Sequence, residues 1–112
     1  MARFMAVYTG TPDPNRAAPD GETLAAGMKA WTDWMQRYAG QIVEGGGPLG
    51  KTKRVDAKGV ADGRNNIAAY VVVEADSHEA AAEMFKDHPH FAIFPGDGVD
   101  VMPCLPVPGG PS

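Results

Sequence analysis

A chain of 112 residues, 44% apolar and 21% charged, has room for one hydrophobic core and is too apolar to be disordered. Ten basic side chains against fourteen acidic ones leave a net charge of −4, which disfavours nonspecific binding to nucleic acid or an anionic membrane, because both need a positive field. Cys104 stands alone, so no intramolecular disulfide forms and a reducing, cytoplasmic setting is expected.

No run approaches the roughly 20 apolar residues of a membrane span. Met1 to Tyr8 enters a strand pattern directly, without a signal-peptide layout. Arg3 to Tyr8 alternates Phe4, Ala6 and Tyr8 with Met5 and Val7. Apolar residues on both faces predict an inner strand. Thr9 to Gly21 holds three prolines and two glycines and is predicted as a loop.

A helix follows, with Asp20 as its N-cap and Glu22 in the first turn. Leu24, Met28, Trp31, Met35 and Tyr38 form its apolar stripe, widened by Trp34. Gly40 is expected to end it in a left-handed cap. Gly27 costs about 1 kcal/mol relative to alanine in mid-helix and points to close packing on the sheet.

Ile42 to Glu44 is a short predicted strand before a glycine-rich turn, Gly45 to Gly50. Lys51 to Val55 extends it as a polar piece, and Asp56 to Asn66 carries turn pairs throughout. Ile67 to Glu74, with Val71, Val72 and Val73, predicts a central strand. Asp76 and Glu79 make a capping box for a second helix. Ala81, Met84, Phe85 and His88 continue its inner face, and Pro89 ends it. Phe91 to Gly98 is expected to be a loop, and Val99 to Leu105 a last strand at an edge, given Pro103.

The order strand, helix, strand, strand, helix, strand predicts an α+β, ferredoxin-like βαββαβ domain over residues 1–106. It has a four-stranded antiparallel sheet with two helices on one face, followed by a flexible tail over 107–112. The other sheet face, with Tyr8, Tyr70 and nearby valines assigned to it, needs covering. A homodimer packed through that face meets the need.

An ordered set of segments carries a resemblance. Phe4-Met5-Ala6-Val7-Tyr8 opens the sheet, and Trp34-Met35-Gln36-Arg37-Tyr38 ends the first helix. Gly46-Gly47-Pro48-Leu49, Glu74-Ala75-Asp76-Ser77, His88-Pro89 and Val99-Asp100-Val101-Met102-Pro103 follow. From Arg3 to Pro106 the chain resembles the YCII-related family, which includes the proteins named for a DGPF motif, in the dimeric α+β barrel superfamily. The resemblance implies a barrel-like dimer with a pocket beside the helices. Some relatives resemble muconolactone isomerase or dehydrochlorinating enzymes, and a histidine and aspartate pair is proposed as catalytic in part of the family. Here the histidine position falls near Lys29 or Ala30, and the aspartate position falls on His88. Asp62-Gly63 is followed by Arg64 and Asn65 instead of proline and phenylalanine. The pair does not carry over, which leaves Asp87 and His88 as a local substitute.

Gly45 to Thr52 satisfies the phosphate-loop pattern, but Gly59 follows too soon for the helix that pattern needs. A plain glycine-rich turn is expected. His88 and His90, with Asp87 and Asp97 nearby, show no tight metal-ligand spacing. Histidine's pKa makes His88 the candidate acid/base, with Asp87 or Asp97 orienting it. Tyr8, Trp34, Tyr70 and His90 are the candidate ligand-binding residues, for a small apolar or aromatic molecule. His78 is expected to face solvent, and Cys104 to be a buried or interface thiol. Two functional readings stand. One is a small-molecule-binding or accessory dimer. The other is an isomerase- or lyase-type enzyme using His88. Neither calls for a metal or an organic cofactor.

Overall fold

The computed structural model describes residues 1–108, so most of the predicted tail, 109–112, lies outside the described residues. Four strands form the main sheet: β1 (Ala2–Thr9), β2 (Ile42–Pro48), β5 (Ile67–Ala75) and β6 (Gly98–Pro103). Their order is β2-β5-β1-β6, and every neighbouring pair is antiparallel. Helices α1 (Gly21–Arg37), α2 (His78–Glu83) and α3 (Pro89–Ala92) complete the main layer arrangement. Strands β3 (Thr52–Asp56) and β4 (Gly59–Gly63) form a separate hairpin.

The predicted α+β, ferredoxin-like sheet is present. Register decides which strand face is covered. Phe4 pairs with Val73, Ala6 with Val71, and Tyr8 with Ala69. This set, with Ala75, meets Trp34, Ala81, Met84 and Phe85 in the core. Tyr8, Val71 and Val73 are therefore buried beneath the helices and do not belong to the uncovered face, contrary to expectation. The opposite face carries Met5 across from Val72 and Met102, and Val7 across from Tyr70 and Asp100.

Several local expectations are corrected. The extended piece expected at Lys51 to Val55 is β3, but Gly59 to Gly63, expected as turns, is the strand β4 that pairs with it in a hairpin closed at Ala57-Lys58 between Asp56 and Gly59. Gly59 takes a left-handed φ of 124° there. The glycines after Glu44 stay within β2 as a bulged strand, with register shifts on either side of Glu44. Gly46 has φ 63°, and a Cβ there would collide with the Tyr70 carbonyl. Close backbone approach explains why glycine occupies that position.

Asp20 caps α1 as expected, accepting from Thr23 N at 2.7 Å. Gly40 is not left-handed; the helix ends at Tyr38, whose carbonyl accepts from Gln41 N and Ile42 N. Ser77, not Asp76, caps α2 by accepting from Ala80 N at 3.0 Å. That helix stops at Glu83, and Pro89 starts α3 where the sequence pointed to an ending. Proline fits the first helical turn because the N–H it lacks has no partner there. His78 is exposed but not free: it stacks on Phe4 and bonds the Val101 carbonyl at 2.7 Å. Cys104 is exposed in this chain and not buried.

Candidate functional site

Two features meet between α1 and the sheet: an apolar cavity and a buried histidine behind its wall. The cavity is about 570 Å³ and lies between α1 and the β2–β5–β1 side of the sheet. Helical spacing brings Met28, Trp31, Met35 and Ala39 to it from α1. Tyr8, Ala69 and Tyr70 contribute from the sheet, Gly45, Gly47 and Pro48 from the bulged strand, and Phe94 from the segment after α3. Thr32 and Gln36 add neutral polar groups. The lining holds no carboxylate, histidine, lysine or arginine.

Phe94 reaches the cavity because Gly27 makes room for it. A Cβ on Gly27 would overlap the Phe94 ring. The mid-helix glycine therefore serves a ring from a loop, not the expected approach to the sheet. Phe94 also lies 6.2 Å from Trp31, ring to ring.

His88 sits behind Tyr8 and Trp31 and is fully buried. Asp87, left-handed at φ 58°, lies immediately before it at the turn into α3, where His88 is the N-cap. Aspartate tolerates that conformation better than most residues. The imidazole lies among Tyr8 (5.0 Å), Trp31 (4.6 Å), Trp34 (4.8 Å) and Phe85 (6.0 Å). His88 Nδ1 accepts from the His90 backbone N–H at 3.0 Å, and Nε2 is 3.2 Å from Tyr8 Oη. Burial, and secondarily the nearby His90, pull the His88 pKa from 6.5 down to about 4. Burial pushes the Tyr8 hydroxyl above its ordinary value. Both groups are neutral near pH 7.

The expected catalytic trio does not converge. His88 bonds Tyr8 and the His90 backbone, and no carboxylate accepts from it among the described residues. Asp97 accepts from Thr11 Oγ1 at 2.5 Å, while its own N–H donates to the Thr9 carbonyl. Asp87 acts at the turn through its backbone. No group of three histidine, cysteine, aspartate or glutamate side chains is placed to hold a metal among the described residues.

The four expected ligand-binding residues separate into two pairs. Tyr8 and Tyr70 line the cavity. Trp34 lies in the core, where its indole N–H donates to the Met84 carbonyl at 2.7 Å. His90 is buried, stacks on Tyr8 at 5.2 Å and bonds the Thr9 carbonyl at 2.7 Å. The Tyr70 hydroxyl donates to Glu44 at 2.7 Å, and that hydrogen bond, with the carboxylate's charge, raises its pKa. Of the wall residues not foreseen, Phe94 had one sequence signal, the costly glycine at position 27. Arg54 faces Asp56 on the hairpin, and Gly45 to Thr52 runs from β2 into β3 with no helix beginning at Lys51.

No helix among the described residues is long and apolar enough to cross a membrane. No family model matches the chain, and no curated protein does. Among solved structures, the chain is similar to 5-chloro-2-hydroxyhydroquinone dehydrochlorinase from Burkholderia phenoliruptrix AC1100, in its complex with 2,5-dihydroxybenzoquinone. Identity is 17% over 88% of this chain and 89% of that one, with a TM-score of 0.54. At that identity the likeness is one of fold, an antiparallel four-stranded α+β arrangement with flanking helices.

Proposed function

We propose that this chain is a YCII-related protein of the dimeric α+β barrel type that binds a small, largely apolar, ring-shaped molecule in the cavity beneath α1. The carrying observation is the cavity's wall: aromatic and methionine side chains with no ionised group among them. Such a wall favours apolar ligands, oriented by a few neutral polar groups. The fold likeness to a protein complexed with 2,5-dihydroxybenzoquinone supports a compact ring as the ligand class.

Binding is favoured over acid–base chemistry because His88 has no carboxylate partner and is held neutral behind the wall. The isomerase or lyase reading places His88 as acid/base and requires proton exchange with a ligand from that position. Homodimerisation through the open sheet face accompanies either reading. Met5, Val7, Val72 and Met102 share that face, and Met102 is 43% exposed in the single chain.

A panel of neutral bicyclic aromatics titrated against Trp31 and Trp34 fluorescence tests the binding reading. Saturable binding that Met35→Glu abolishes, with the fold retained by circular dichroism, is the expected result. Binding unaffected by that charge places the ligand elsewhere. Sedimentation equilibrium tests the dimer, and a clean monomer at micromolar concentration removes it.

A further inference from the structure

We infer that Tyr8 is the cavity's orienting hydrogen-bond donor, and that the ligand therefore presents a neutral acceptor oxygen, of the carbonyl or ether kind, to its hydroxyl. The inference rests on the proposed ligand-binding role of the cavity and adds the chemical class of what enters it.

The direction of one short hydrogen-bond chain carries it. The His90 backbone N–H points at His88 Nδ1 across 3.0 Å. A backbone N–H only donates, so Nδ1 must offer its lone pair. A neutral imidazole with an unprotonated Nδ1 holds its single proton on Nε2. Nε2–H then donates to Tyr8 Oη, 3.2 Å away. Tyr8 becomes the acceptor in that pair and still carries its own hydroxyl proton. Its hydroxyl has no second hydrogen-bond partner among the described residues. Tyr8 is a residue of the cavity wall, and the inference directs its hydroxyl proton towards that space.

The opposite tautomer would set Nδ1–H against the His90 N–H, two donors facing each other. Burial keeps His88 from escaping that choice by taking a second proton near neutral pH. Tyr70 lies level with Val7 on the opposite face of the sheet, and its hydroxyl donates its hydrogen bond to Glu44. Tyr8 is left as the sheet's available donor. A neutral acceptor is specified because the wall has no cation to accompany an anion out of water. Tyr8 acts here as a specificity residue, and His88 as the residue that positions its proton.

Three probes of one shape separate these claims: indane, 1-indanone and indane-1-carboxylate, titrated against the full chain by calorimetry. One neutral hydrogen bond corresponds to about three- to tenfold in affinity. The expected result is 1-indanone binding about three- to tenfold tighter than indane, with the carboxylate weakest. Tyr8→Phe should bring 1-indanone to the affinity that indane has for the same variant. Equal binding of indane and 1-indanone by the natural chain overturns the donor role while leaving the binding cavity standing. Carboxylate binding as tight as ketone overturns the neutral-acceptor class. Failure of all three to bind removes both the cavity's role and this inference. The tautomer is read separately, without substitution, from long-range proton–nitrogen correlations of the His88 ring. A proton on Nδ1 reverses the chain and overturns the proposal.

Discussion

Acidification between pH 7 and pH 5 should destabilise this protein chiefly through His88. The sign follows from where its proton is bound. Its pKa is about 4 in the folded chain against 6.5 ordinarily, and burial is the main cause. A histidine with a lowered folded pKa binds more protons when unfolded, so stability falls as pH drops below 6.5. The loss is complete near pH 4, where the folded form also takes up its proton.

At pH 5 the unfolded chain carries nearly a full proton on His88, and the folded chain about a tenth of one. Integrated from pH 7, that difference costs about 2 kcal/mol, a ceiling that local relaxation around the imidazolium lowers towards about 1 kcal/mol. Asp20, whose carboxylate is stabilised by hydrogen bonds to Thr23, has its pKa lowered from 3.8 and protonates below this window.

Urea unfolding followed by tryptophan fluorescence measures the effect. With a slope of about 1–3 kcal/mol/M, the midpoint should fall by about 0.3–2 M between pH 7 and pH 5. His88→Gln keeps an amide near the Tyr8 hydroxyl and removes the titration. Its midpoint should be lower at pH 7 and nearly flat down to pH 5. A natural chain with no pH dependence in this range refutes the buried, neutral His88. An equal slope in the His88→Gln variant assigns the effect to another group.

Three further perturbations test how the cavity is built. Gly27→Ala should destabilise by about 1–3 kcal/mol, because the new methyl overlaps the Phe94 ring. In a Phe94→Ala background the same change should stabilise by up to about 1 kcal/mol through helix propensity, and a double-mutant cycle by chemical denaturation reads the coupling. Gly46→Ala should cost at least about 2 kcal/mol, since it combines a left-handed φ with a collision against the Tyr70 carbonyl. Thermal melts at pH 7 check it, and an unchanged midpoint rejects the bulge geometry. Asp87→Gly should preserve probe binding and leave stability within about 1 kcal/mol, whereas Asp87→Val should lose at least about 1 kcal/mol from the strained turn. Loss of binding in the glycine variant would give the Asp87 carboxylate a role beyond its backbone.

How much of this was legible depends on which pattern carried the information. Burial periodicity exposed β1, β5 and α1, because Val71 and Val73 alternate with Val72 as Trp31 and Trp34 follow a helical stripe. The same periodicity left open which face of β1 the helices cover. Both faces are apolar, and Tyr8 fell to the wrong one until register with β5 fixed it. The β3–β4 hairpin carried no burial signal, since Val55 and Val60 remain 72% and 70% exposed across from each other. The turn pairs from Asp56 to Asn66 therefore hid β4, while Lys51 to Val55 reads as extended.

The site was hidden for a different reason. The sequence pattern puts His88 on the inner face at the end of the second helix, with Pro89 as the stop. Pro89 held the contrary clue, because His88-Pro89 also fits an N-cap followed by proline at the first helical position. A histidine that caps from inside the core must be neutral, and its cap acceptance fixes its tautomer. Local helix chemistry and site chemistry are thus the same hydrogen bond: the N–H that starts α3 also determines which way the Tyr8 proton points. Substituting His90 by proline would delete that N–H together with the imidazole that stacks on Tyr8, so it is compared with His90→Ala, which removes the imidazole and keeps the N–H. The expected consequence is a mixed His88 tautomer and loss of the ketone preference at Tyr8 in the proline variant, with the preference kept in the alanine variant. A proline variant that keeps the ketone preference would separate capping from ligand orientation.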